Sequence, residues 1–64
     1  MNIKTVLIKV NCPKILKRAN STPTFQRLTR KPLQIGANIE RVNHKQFSDM
    51  LRLYPLLGIE IREI

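Results

Sequence analysis

Hydrophobic side chains fall along this chain in two different periods. From Ile3 to Val10 the residues Val6, Ile8 and Val10 alternate with Thr5, Leu7 and Lys9. That two-residue repeat of β-branched side chains predicts a strand over 3–10, with one face fully apolar and the other mixed. Near the C-terminus Leu57, Ile59 and Ile61 alternate with Gly58, Glu60 and Arg62, which predicts a half-buried strand over 57–63. Between the two, Phe47, Met50, Leu51 and Tyr54 recur at i, i+3, i+4 and i+7, with Ser48, Asp49 and Arg52 opposite. This is the pattern of an amphipathic helix, placed over 43–54. Its start is marked three ways: Asn43 is a good N-cap, Gln46 three residues on completes a capping box, and Val42 and Phe47 occupy the positions of a hydrophobic staple. Pro55 predicts that the helix stops at or before Tyr54.

The middle of the chain is less regular. Residues 14–22 contain Ile15, Leu16 and Ala19, enough for a turn or so of helix, but run into Asn20, Ser21, Thr22 and Pro23, so a basic loop with at most a short helical turn is expected there. Phe25 to Thr29 has β propensity, and Leu33 and Ile35 alternate with Pro32, Gln34 and Gly36. Short extended segments are therefore expected over 25–36, with Gly36, Ala37 and Asn38 as the turn that follows. The helix stripe is the one large apolar surface able to cover the strands. The expected fold is α+β, a small sheet of two to four short strands covered on one face by a single amphipathic helix, in one domain spanning 1–64. A chain of 64 residues buries only about 60% of its unfolded surface and is marginal unless its elements are very regular or a partner completes it.

Charge divides the chain. Residues 1–39 hold no Asp or Glu, while Lys4, Lys9, Lys14, Lys17, Arg18, Arg27, Arg30 and Lys31 all lie there. From residue 40 onward Glu40, Asp49, Glu60 and Glu63 balance Arg41, Lys45, Arg52 and Arg62, so the first 39 residues carry the whole formal charge of +8. Such asymmetry points toward an anionic partner. The candidate surface comprises Lys14, Lys17, Arg18, Arg27, Arg30 and Lys31, with Phe25 placed to stack on a base. A solvated basic face that only maintains solubility is the simpler reading of the same residues.

The inventory for catalysis is thin. His44 is the single His, expected exposed in the first helical turn, and Cys12 is the single Cys, so neither a disulfide within the chain nor a metal-ligand cluster is expected. Glu60 and Glu63 fall on opposite faces of a strand, and Gly36 and Gly58 alone make no phosphate loop. We therefore expect no enzyme, no cofactor, no metal site and no small-molecule substrate. Lys9 interrupts the apolar run at the N-terminus, so neither a signal peptide nor a membrane span is expected, and the cytoplasm of the producing cell is the default compartment.

The order of elements resembles the N-terminal domain of the FluMu-type proteins of Mu-like prophages. The matching positions are Val6 to Val10, the Arg-bearing Phe25 to Arg30, Gln34 to Gly36, the helix start Val42 to Gln46 followed by Phe47, and Pro55 to Ile61. The likeness is closest in the C-terminal third. Tyr54 stands where that family usually has Asp, and the stretch from Pro13 to Thr24 is longer than the family's. The resemblance implies a phage or prophage protein of a family with no established enzymatic activity, whose genes lie among virion-assembly genes, and so a protein-binding or virion role. Two functions are carried forward on these grounds. The first is a protein-interaction module, self-associating or docked on a larger assembly, with Lys9 and Arg62 as edge charges that limit promiscuous pairing. The second is a small basic nucleic-acid binder using the six cations named above.

Overall fold

A computed structural model describes residues 3–64; residues 1 and 2 of the expected domain lie outside the described residues. The elements run β1 (Ile3–Val10), α1 (Pro13–Ser21), α2 (Pro23–Gln26), β2 (Gly36–Asn43), α3 (His44–Leu57) and β3 (Glu60–Glu63). The three strands form one sheet in the order β2-β1-β3. Both edge strands are antiparallel to β1, with Val6 opposite Glu40 on one side and Glu63 on the other. It follows that β2 and β3 run parallel to each other with β1 between them, so the chain must cross one face of the sheet to join them. That crossing is α3, which explains why the amphipathic helix lies on the sheet and not beside it.

The core forms between this helix layer and the face carrying Val6, Ile8 and Val10, all buried together with Met50 and Tyr54 of α3. Ala19 of α1, Leu28, Leu33, Val42 and Ile59 complete it. The α+β reading thus stands, and the covering helix has two companions on its face. Residues 14–21 of the expected loop belong to α1, and Thr22 is its extended C-cap residue. Cys12, in an extended conformation, precedes Pro13 at the first helical position, where a fixed φ favours helix and the missing N–H costs nothing. Ile15, Leu16 and Ala19 then turn inward while Lys14, Lys17 and Arg18 stay exposed. Pro23 repeats the device and opens the single turn of α2, which is why Phe25 lies in a helix and not in the expected strand.

The 32–35 segment is not a strand either. Asn20 grips Leu33 from α1, its amide donating to the Leu33 carbonyl and its carbonyl accepting from the Leu33 N–H, both at 3.0 Å. Asn38 does the same for Gln34, at 2.9 and 2.8 Å. Two side-chain amides therefore supply the hydrogen bonds that a neighbouring strand would otherwise give, and Leu33 is delivered to the core. Gly36, at φ 102°, opens β2 instead of a turn. Burial alternates along this strand, but polar Asn38 and Glu40 occupy core-side positions at the sheet margin while Ile39 points the other way.

At the start of α3 the expected capping box is present. The Asn43 side chain accepts from the Gln46 N–H at 2.8 Å, and the Gln46 side chain accepts from the Asn43 N–H at 2.9 Å. The helix runs on through Pro55 to Leu57, past the expected stop. Pro55 removes the N–H that would bond Leu51, but both residues lie on the exposed side of the helix, where water satisfies the freed carbonyl. Leu51 is 46% exposed and so leaves the expected stripe; Leu53 and Leu57 pack against the core in its place. Gly58 ends the helix at φ 80°, with its N–H on the Pro55 carbonyl at 3.0 Å and the Ile59 N–H on the Tyr54 carbonyl at 3.1 Å. This is a Schellman motif, and it returns the chain into β3 with Ile59 buried. No helix among the described residues is long and apolar enough to cross a membrane.

Candidate functional site

The six candidate cations do not form one patch. Lys14, Lys17 and Arg18 share the solvent face of α1, at i, i+3 and i+4. Lys14 and Arg18 flank a shallow groove with Cys12, Ile15 and Leu57. Arg27 caps the end of α2. Arg30 and Lys31 lie in the following loop beside Asn20, Gln26 and Thr29. The Arg30 N–H donates to the Glu40 carboxylate at 3.2 Å, so one acid of the second half is drawn into this region. Ion pairs among the described residues are elsewhere, Lys4 with Glu63 at 3.5 Å and Arg52 with Asp49 at 3.2 Å. All three aromatic rings are engaged within the fold. Phe25, expected to be free to stack on a base, is half-buried and stacks on Tyr54 with ring centroids 6.2 Å apart. Lys4 Nζ sits 5.5 Å from the Phe47 ring centre.

A second surface comes from the sheet itself. Residues opposite each other in an antiparallel pair share a face. The face turned away from the helices therefore carries Ile3, Thr5, Leu7 and Lys9 of β1, opposite Asn43, Arg41, Ile39 and Ala37 of β2. From β3 it carries Glu60 opposite Lys9 and Arg62 opposite Leu7, and alternation adds Ile64, whose N–H bonds the Thr5 carbonyl at 3.0 Å. Ile3 is 48% exposed, Ile39 56% and Ile64 62%. No helix among the described residues covers this face. It is continuous at the β2 edge with a shallow depression lined by Ile3, Arg30, Ile39, Glu40 and Arg41. Lys9 belongs to this open face on the central strand, so it is not the edge charge expected of it; Arg62 does lie on an edge strand.

Sequence reasoning missed Ile39 and Arg41 because it placed no strand over residues 36–43, and Ile64 because it ended the last strand at residue 63. The usable signal was the alternation of Ala37, Ile39 and Arg41, hidden by the polar Asn38 and Glu40 between them. Of the groups considered for chemistry, His44 is exposed at the start of α3, and Cys12 is half-buried before α1. Among the described residues no three His, Cys, Asp or Glu side chains come together as metal ligands. Among the described residues Tyr54 is the one strongly perturbed group. Burial pushes its phenol up to about 12, with the Thr29 side chain offsetting part of the shift and the Glu40 carboxylate adding to it. By distance and angle its buried hydroxyl makes no hydrogen bond, and the neighbouring Thr29 hydroxyl donates instead to the Lys31 carbonyl at 2.7 Å. Compared with known proteins, the chain matches no family model, no curated protein and no solved structure.

Proposed function

We propose that this chain is a non-enzymatic protein-interaction module that docks through the open face of its sheet. One observation carries the reading: the helices cover a single face, while Ile3, Ile39 and Ile64 stand about half exposed or more on the other. An antiparallel sheet can leave one face in water, but that face is then ordinarily polar. Clustered isoleucines there are the mark of a surface that meets another macromolecule. The resemblance to the FluMu-type domains extends the proposal to a phage or prophage setting, in the cytoplasm of the host cell or on a virion, with an assembly protein as partner. Affinity capture from the cells that make the protein tests it. A partner retained by the wild type and lost with Ile39→Asp supports the reading, and retention of the same proteins by both forms overturns it.

The second reading, a nucleic-acid binder, is favoured by Lys14, Lys17 and Arg18 aligned on one solvated helix face with no acid among the first 39 residues. The engagement of all three rings in the fold leaves it an electrostatic basis alone. Titration of labelled duplex and single-stranded DNA at low and moderate salt tests it. Binding with a steep negative log-log salt slope supports this reading, and absence of binding at low salt sinks it.

A further inference from the structure

We infer that the occupant of the open sheet face is an acidic amphipathic helix of a partner protein, an inference that rests on the docking role proposed above. Three features select it. The first is the shape of the apolar strip, which follows β1 from Ile3 through Leu7 and is widened by Ile39 on one side and Ile64 on the other. With adjacent strands about 4.8 Å apart, β2 and β3 stand about 10 Å apart across β1. That width matches one α-helix with its side chains, about 10–12 Å. Along β1 the face from Ile3 to Lys9 measures about 20 Å, room for about 13 helical residues.

The second feature is the charge at the margins. Arg41 follows Ile39 along β2, Arg62 precedes Ile64 along β3, and Arg30 adjoins Ile39 in a depression that Glu40 also lines. The single acid on the face, Glu60, lies opposite Lys9 and offsets that lysine alone. Cations thus border the apolar strip on both sides, the complement of a helix whose leucine-type stripe is flanked by Asp and Glu.

The third feature argues against the obvious competitor, a second copy of this chain. A copy stacked on this face would bring Arg41 and Arg62 of both molecules into one interface, between two molecules of formal charge +8 each. Like charges brought face to face disfavour that dimer. Nucleic acid suits the charge but not the surface, since the strip offers aliphatic side chains and no ring for a base to stack on.

The test uses a synthetic peptide of about 14 residues with leucines on one helical face and glutamates on both flanks, titrated calorimetrically into the full chain at low salt. Two control peptides carry lysine in place of glutamate, or the same residues in scrambled order. Micromolar binding of the acidic peptide alone is expected. It should weaken at least tenfold in Arg41→Glu/Arg62→Glu and in Ile39→Asp, and change less than twofold in Lys14→Glu/Lys17→Glu on α1. All the substituted side chains are exposed, and circular dichroism verifies that each variant folds. Failure of the acidic peptide to bind, equal binding of a control peptide, or indifference to the Arg41→Glu/Arg62→Glu change overturns the inference. Sedimentation that shows a dimer abolished by Ile39→Asp overturns it in favour of a second copy. If the peptide fails while cellular capture still depends on Ile39, the acidic-helix inference falls and the docking role survives. If both fail, both fall.

Discussion

Tyr54 offers the sharpest test of how this small core is balanced. Its side chain is completely buried, its ring stacks on Phe25, and its hydroxyl has no hydrogen-bond partner. Burying a hydroxyl without compensation costs about 1–3 kcal/mol. Tyr54→Phe keeps the ring and removes the orphaned oxygen, so at neutral pH it should stabilise the protein by about 1–2 kcal/mol. The same residue sets an alkaline limit. In the unfolded chain a tyrosine ionises near 10, whereas burial holds Tyr54 at about 12. Between those values the unfolded state sheds a proton that the folded state keeps. Stability therefore falls as pH rises through this window, by about 1.4 kcal/mol per pH unit and about 3 kcal/mol in all. For a domain of this size that loss is a large share of the total.

The assay is urea denaturation followed by far-ultraviolet circular dichroism at pH 8, 10, 11 and 12 for the wild type and Tyr54→Phe. Lysines titrate in both proteins, so the difference between the two curves isolates Tyr54. Tyrosinate absorbance gives an independent reading, because Tyr54 is the single tyrosine and there is no tryptophan. Ionisation should coincide with loss of structure. A tyrosinate midpoint near 10 in a chain that is still folded would refute the reasoning. A Tyr54→Phe variant less stable than wild type by more than about 1 kcal/mol would show that the hydroxyl is bonded after all.

Three further expectations concern the devices that shape the chain. Asn20→Ala removes both hydrogen bonds to Leu33 and leaves a part-buried N–H and carbonyl unpaired, so denaturant unfolding should show a loss of about 1–3 kcal/mol. Protection of the Leu33 amide from hydrogen exchange should fall with it. Gly58→Ala places a Cβ 3.8 Å from the Ile15 side chain, an ordinary contact, so its cost of about 1–2 kcal/mol should come from the left-handed backbone alone. A similar loss in Gly58→Asn would contradict this, since asparagine tolerates that conformation better. Asn43→Ala should cost about 1 kcal/mol by opening the capping box, and Gln46→Ala added to it should cost less than it does in the wild type, as a double-mutant cycle would measure.

Legibility along the chain followed the physics of each segment. The strand at 3–10 was readable because β1 is central: its inward side chains over the core, Val6, Ile8 and Val10, are all apolar, and Lys4 at the end of that face lies against the Phe47 ring. The start of α3 was readable because capping is local, needing only Asn43, Gln46 and the residues between. Its end was misread because the rule for proline assumes that the carbonyl it frees is cut off from water. At Pro55 the carbonyl it frees lies on the solvent side, and Gly58 supplies a better stop three residues on. Helix α1 was missed because its N-cap residue, Cys12, makes no side-chain hydrogen bond and its C-terminal residues are polar. What sustains it is the packing of Ile15, Leu16 and Ala19 on a core the local pattern does not reveal. Strand β2 was missed for the complementary reason: at the sheet margin its inward positions include Asn38 and Glu40, and the apolar Ala37 and Ile39 alternate on the outward face instead.

The candidate sites divide along the same line. Local rules reach as far as neighbours in sequence do, and with the charge division at residue 39 they suffice to place two strands, one capped helix and an α+β class. Which cations lie together, which face of the sheet stays bare, and which aromatic rings remain free depend on contacts between residues far apart in the chain. The six cations separate onto α1, the end of α2 and the loop after it because two prolines and two asparagines steer the backbone between them. Ile3, Ile39 and Ile64 share one surface because hydrogen bonds between strands set them in register, and a periodicity of two carries no record of which strand lies beside which.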